Sequence, residues 1–175
     1  MNPRFAIPLV VAAATLFGCT QSGPPTPAVK PAGPAANAVA SLHAIRAAGD
    51  GVDSAVTVQP LRDAAIDGFL KKAHDAEAHG DFPAAIAATD SALKLAPEAP
   101  DILQYRAELD IGTGEWAKAD ALAMRSFGLG PKVGALCARN WQTVIEARTA
   151  MNDAPTVTAA RQRLKECRIA PRLRM

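Results

Sequence analysis

The centre of the chain repeats its pattern of large apolar, small and turn-forming residues at a spacing of 34 positions. The matched pairs are Asp67 and Asp101, Ala73 and Ala107, Gly80 and Gly114, Phe82 and Trp116, Ala85 and Ala119, Leu95 and Leu129, and Pro97 and Pro131. Glycine suits the left-handed turn that follows a helix, proline ends a helix, and small alanines allow two helices to approach closely. The pattern therefore predicts pairs of antiparallel helices that repeat along the chain.

Two stretches of this repeat, GDFPAAIAATDSALKLAP and GEWAKADALAMRSFGLGP, resemble the second helix of a tetratricopeptide repeat. The resemblance covers about residues 61–133. Lys72 and Arg106 stand at first-helix positions where that family is usually apolar. The resemblance implies an all-α fold, a short helical solenoid of about three helix pairs.

A third, degenerate unit follows the first two. Asp153-Ala154-Pro155 echoes Asp81-Phe82-Pro83, and Asn152 takes the place of Gly80. Asparagine is the next best residue after glycine at a left-handed helix cap. This third motif lies 72 positions after the first, whereas two repeats of 34 residues would place it 68 positions after. We therefore expect one extra turn of four residues in the first helix of this unit.

The N-terminal residues MNPRFAIPLVVAAATLFGC have the form of an export signal, with a basic Arg4 and an apolar core too short to span a membrane. Their end, Leu16-Phe17-Gly18-Cys19, resembles the bacterial lipobox. That resemblance implies that Cys19 is lipidated, carries palmitate and becomes the first residue of the mature chain. The absence of aspartate after Cys19 favours, by analogy, the outer membrane and a periplasmic location. An ordinary secretory signal is the alternative.

Residues 20–36 contain five prolines in seventeen positions and nothing that could build a core. Such a segment favours an extended chain of roughly 50 Å at full reach, which suits a flexible linker. A proline-rich ligand for a groove is the alternative. The expected segments are a signal peptide at 1–18, a lipidated linker at 19–37, a short helix or extended segment at 38–60, repeats at 61–99, 100–133 and 134–170, and a basic tail at 171–175.

The chain has three cysteines, an odd number for an exported protein. Lipidation of Cys19 would leave Cys137 and Cys167, each 15 residues from Asn152 at the third turn. Residues at equal distances from the turn of a helix pair lie at the same height, so we expect a disulfide. Closing this loop would contribute roughly 3–4 kcal/mol in the chain-entropy model. Two buried, reduced cysteines are the alternative.

In the tetratricopeptide family, the first helix of each pair lines an inner, concave face that binds extended or helical peptides. Carrying those positions over implies a mildly acidic groove with one apolar spot; a plain solvated face is the alternative. The candidate groove residues are Asp67, Leu70, His74 and Glu77 in the first repeat, Asp101, Gln104 and Glu108 in the second, and Ala138, Gln142 and Ile145 in the third.

Basic residues cluster at the C-terminus against a single acid, Glu166. The cluster contains Arg161, Arg163, Lys165, Arg168, Arg172 and Arg174. It suits either a solvated last helix, whose dipole favours cations at this end, or a patch for anionic lipid phosphates or an acidic partner.

Composition narrows the function classes. Of 175 residues, 39 are alanine, the strongest helix former, while a net charge of +2 and few aromatic residues argue against nucleic-acid binding. His74 and His79 are five residues apart and do not form the pair that binds a metal on one helix face. We expect no enzyme activity, cofactor, metal or small-molecule substrate.

Together these features predict a lipid-anchored adaptor of the bacterial envelope that binds a protein or peptide segment. By analogy with short tetratricopeptide lipoproteins, it could belong to an envelope assembly or a pilus-type machine. A binder of anionic envelope polymer or lipid phosphates is the alternative.

Overall fold

The computed structural model describes residues 36–50, 52 and 62–168, and all regular elements within these ranges are α-helices. The helices are α1 (Ala36–Asp50), α2 (Ala64–Ala78), α3 (Phe82–Leu95), α4 (Pro100–Thr113), α5 (Trp116–Leu129), α6 (Ala135–Ala150) and α7 (Ala154–Glu166). The predicted signal peptide, Cys19, most of the linker and the basic tail lie outside the described residues.

Six of these helices form three stacked hairpins. Within the hairpins α2 packs on α3, α4 on α5 and α6 on α7, while contacts of α3 with α4 and of α5 with α6 join one hairpin to the next. The predicted all-α fold, a helical repeat solenoid, is confirmed.

The three hairpin turns share one geometry. Gly80, Gly114 and Asn152 have φ of 75°, 79° and 60°, so each turn passes through the left-handed region that its glycine or asparagine was expected to provide. The next residue then donates its N–H to the carbonyl five positions back, as in Asp81 to Ala76 and Asp153 to Arg148. The same backbone device closes all three turns.

The extra residues of the third unit are distributed differently from the expectation. The first helix of the third unit, α6, has 16 residues, whereas the corresponding helix of the second unit, α4, has 14. The loop before α6 has five residues (130–134) and the loop before α4 has four (96–99). The turn after α6 has three residues (151–153) and the turn after α4 has two (114–115). The prediction of a full extra helical turn is therefore wrong. The four additional residues are instead shared by the loop, the helix and the turn, which can each absorb one or two of them at little cost.

The expected packing positions of the alanines are confirmed. Ala85 and Ala119 are completely buried between paired helices, whereas Ala87 is exposed. Arg106, at a position where an apolar residue was expected, is half-buried because its Nε lies 2.7 Å from Oδ1 of Asp90 and its Nη1 pairs with Asp110. Burial raises the pKa of Asp110 despite that guanidinium.

The predicted disulfide between Cys137 and Cys167 is present, with Cα atoms 5.6 Å apart. It joins the start of α6 to the residue that follows α7, and both cysteines are buried against Val52 and Ala138. The carbonyl of Cys167 also accepts a hydrogen bond from the N–H of Gly134 at 2.8 Å. The open end of the third hairpin is therefore closed by a covalent bond and a backbone hydrogen bond.

Candidate functional site

The first helices of the hairpins, α2, α4 and α6, form what we call the inner face, and α1 lies on it. α1 packs against α6 and α4. Its Ser41 contacts Glu146 near the end of α6, and its Gly49 contacts Ala135 and Arg139 near the start, so the two helices are antiparallel. The face that the sequence predicted as a peptide groove is thus covered by a helix of the same chain.

A single stripe of α1 faces the solenoid. Ala38, Leu42, Ile45 and Gly49, spaced four, three and four residues apart, are all buried. A Cβ on Gly49 would come within 2.9 Å of two side-chain carbons of Arg139, so a larger residue here would displace that side chain.

An ion-pair network holds α1 in place, with Glu108 of α4 in its middle and the partly exposed guanidiniums of Arg46 and Arg139 around it. Glu108 is completely buried. Its Oε2 accepts a hydrogen bond from Nε of Arg46 at 3.1 Å, and its Oε1 accepts from Nε of Arg139 at 2.8 Å and from Nε2 of Gln104 at 3.0 Å. Residues from α1, α4 and α6 thus meet on one carboxylate.

Glu77 of α2 extends this network to the first hairpin. It accepts hydrogen bonds from Nη2 of Arg46 at 2.6 Å and from the Tyr105 hydroxyl at 2.9 Å. Burial acts against the charged form of Arg46, but the hydrogen bond to Glu77 and the charge of Glu108 outweigh it and raise the pKa of Arg46. Burial and the nearby Glu77 carboxylate raise the pKa of Tyr105. Arg46 therefore keeps its charge and Tyr105 keeps its hydroxyl proton throughout the neutral range.

Two clefts flank α1. One, of about 400 Å³, opens over the ion network and is lined by Arg46, His74, Tyr105 and Arg139 among others. The other, of about 470 Å³, lies between the outer side of α1 and the first hairpin turn, where Val39 and Phe82 form part of its wall. Both clefts owe their shape to the position of α1.

The structure separates the candidate groove residues into accessible and inaccessible sets. Asp67 and His74 are exposed, and Leu70, Glu77, Asp101 and Gln142 are half-buried. Gln104, Glu108, Ala138 and Ile145 are buried. Of these, Glu108 contacts α1 through Arg46, whereas Ala138 and Ile145 are packed in apolar clusters that contain no residue of α1. Sequence reasoning placed no residue of α1 at this site; the signal was its own buried stripe, which requires a partner surface.

The described part of the basic cluster lies on and after α7. Arg161, Arg163, Lys165 and Arg168 are all exposed. Within the described part of the cluster, Nη1 of Arg163 lies 3.1 Å from Oε2 of Glu166 and forms an ion pair with it. Arg172 and Arg174 lie outside the described residues.

Two further observations concern the described residues alone. Among them, no helix has the combination of length and apolar character that crossing a membrane requires. No group of three or more acidic, histidine or cysteine side chains is placed to hold a metal ion within the same ranges.

Among solved structures, the chain is similar to the globular C-terminal domain of LpoP from P. aeruginosa. The match has 28% sequence identity and a TM-score of 0.56, and it covers 60% of this chain and 99% of that domain. No protein-family model matches the chain, and no curated protein matches it.

LpoP is a lipoprotein of the bacterial envelope, and the likeness supports an envelope location for this chain. Because the match spans nearly the whole of that domain, the likeness concerns a complete folding unit. About two fifths of this chain has no counterpart in it.

Proposed function

We propose that this protein is a non-catalytic adaptor of the tetratricopeptide type, anchored to a membrane through Cys19 and holding a protein segment in the periplasm. The observation that carries the proposal is that the inner face already holds a helix. It does so with a buried apolar stripe and with ion pairs from Arg46 to Glu77 and Glu108. A surface with this shape and chemistry suits helical protein segments.

The remaining features support the same role. The likeness to a domain of an envelope lipoprotein agrees with a periplasmic protein-binding adaptor. The Cys19 motif and the proline-rich linker would attach the solenoid to the membrane while allowing it to search for a partner within the reach of that linker. An envelope assembly or pilus-type machine is the setting we propose.

Photo-crosslinking in intact cells tests the proposal. His74 is an exposed residue of α2 that stacks on Tyr105 at the edge of the inner face, with ring centroids 4.4 Å apart. A crosslinking residue at His74 should capture a defined protein that then binds the purified chain. The matched control is Ala87, which is exposed on α3 away from this face. Identical capture from both positions, or none from His74, would contradict the proposal.

A second candidate function rests on the basic cluster. Four exposed cations on one short segment suit binding to lipid phosphates or to an anionic envelope polymer. Binding to vesicles that contain phosphatidylglycerol should then weaken steeply as salt is raised, and Arg161→Glu with Lys165→Glu should abolish it. Binding that survives both changes would remove this candidate.

A further inference from the structure

α1 belongs to the inner face but not to the repeat series. It precedes the first hairpin and is separated from α2 by residues 51–63, yet it packs on α6 and α4, which come much later in the chain. Each hairpin packs directly on the next, and α1 adds Leu42 and Ile45 to the buried apolar cluster that the hairpins share. α1 therefore has the position that a bound helical ligand would have.

The contacts of α1 define the ligand that the inner face accepts. Leu42 and Ile45 are its two large buried side chains, and Ala38 and Gly49 allow close approach at the two ends. Arg46 supplies the guanidinium that bridges Glu77 and Glu108. A fitting helix thus carries an arginine, apolar residues one and four positions before it, and a small residue three positions after it.

One buried hydrogen-bond acceptor of α4 has no donor among the described residues. Oε1 of Gln104, one turn from Glu108, is buried and accepts no hydrogen bond from any described residue. A buried acceptor without a donor is destabilising.

We propose that α1 is a replaceable occupant of the inner face. The partner of this protein binds by displacing α1 with a helix of its own that has the same pattern of arginine, apolar and small residues. This inference rests on the proposed adaptor function and names the class of segment that it binds. The partner chemistry follows from charge complementarity, since Glu77 and Glu108 both require the guanidinium that α1 now supplies.

The same network makes the exchange selective. Removing Arg46 alone would leave the buried Glu108 with one guanidinium, that of Arg139, and Glu77 with the Tyr105 hydroxyl. Losing one partner of a buried charge is costly, so a competing helix that supplies its own arginine should displace α1 more readily than one that does not. Helices that lack this arginine should fail to displace it.

Hydrogen exchange on the full chain gives the first test, and it needs no partner. If α1 is replaceable, its amides should exchange at least about tenfold faster than those of α4, because α1 opens without unfolding the hairpins. Protection of α1 equal to that of α4 would show that α1 opens only with the whole solenoid, and would overturn the inference.

A labelled peptide of residues 36–50 gives the second test. The full chain with Arg46→Ala should bind it at least about tenfold more tightly than the wild-type chain, because its own α1 competes less well. A peptide with Arg46→Ala should lose this binding, while one with His43→Ala, on the exposed side of α1, should keep it. Binding that does not depend on Arg46 of the peptide would overturn the inference.

The outcomes also separate this inference from the function on which it rests. Capture of a protein from His74, with α1 as protected as α4, would leave the adaptor function standing and remove α1 exchange.

A mixture of Ser41→Cys and Glu146→Cys chains tests self-exchange, because these side chains meet across α1 and α6 at 2.8 Å. Efficient crosslinking between the two chains would show that the helix that displaces α1 comes from a second copy of this protein, and would overturn the assignment of a foreign partner.

Discussion

The ring of Phe82 occupies the space in which a side chain on Gly112 would lie. A Cβ built on Gly112 would come within 2.1 Å of Cε1 of Phe82, which is shorter than any real contact. Phe82 begins α3 and Gly112 lies near the end of α4, so this contact joins the first hairpin to the second. The glycine is required by packing and not by backbone conformation.

Replacing Gly112 should therefore cost stability. We expect Gly112→Ala to lower the free energy of unfolding by about 1–3 kcal/mol, because the alanine overpacks the core. Gly68→Ala is the matched control: nothing lies within 4 Å of its Cβ position in α2, so it should stabilise the helix by about 0.5–1 kcal/mol. Urea unfolding measures both, and a neutral Gly112→Ala would contradict the contact.

The buried alanines between paired helices should resist enlargement. Ala85→Leu and Ala119→Leu should each cost about 1–3 kcal/mol, since both positions are completely buried. Ala87→Leu, two residues away on the exposed side of α3, should leave the melting temperature almost unchanged. Equal shifts for Ala85→Leu and Ala87→Leu would show that the helix register is wrong.

The disulfide should stabilise the third hairpin measurably. Both Cys137 and Cys167 should resist alkylation in the folded, unreduced protein, as mass spectrometry can show. Closing a loop of this size contributes roughly 3–4 kcal/mol in the chain-entropy model. Reduction should then lower the melting temperature by several degrees, at about 2–4 °C per kcal/mol. Two freely alkylated thiols would refute the pairing in the isolated protein.

Cys19 should determine the location of the protein. We expect Cys19→Ser to release the chain from the membrane fraction or to block its processing, because the lipobox resemblance makes this thiol the site of lipid attachment. Fractionation with an antibody measures the outcome. A serine variant that is processed and membrane-bound like the wild type would exclude lipidation at this residue.

The cap of α7 should add to acid sensitivity. Hydrogen bonds from Thr156 and then the Arg148 guanidinium hold the pKa of Asp153 below its ordinary value. A lowered pKa stabilises the fold above the ordinary aspartate pKa, and this stabilisation is lost as pH falls through the folded-state value. Asp153→Asn retains a capping side chain but does not titrate, so its stability should fall less between about pH 5 and pH 2. If the free energies of unfolding of the wild type and of Asp153→Asn fall equally with pH across that range, this role is contradicted.

Local features of the solenoid could be predicted because each depends on a few neighbouring residues. The left-handed turns at Gly80, Gly114 and Asn152 follow from the backbone freedom of those residues. The height match of Cys137 and Cys167 follows from equal distances to one turn. The placement of the four additional residues of the third unit was mispredicted, because loops and helix ends can each absorb them at little cost.

The occupant of the inner face could not be predicted in this way. The repeat resemblance predicted an acidic inner face, and Glu77 and Glu108 are the acids of that face that contact α1. The burial of those residues under α1 depends on contacts between Arg46 and Glu108, 62 positions apart, and between Ser41 and Glu146, 105 positions apart. An amphipathic stripe specifies that a helix needs a partner surface, but which surface it takes is decided by shape and charge complementarity between segments that are distant in the chain.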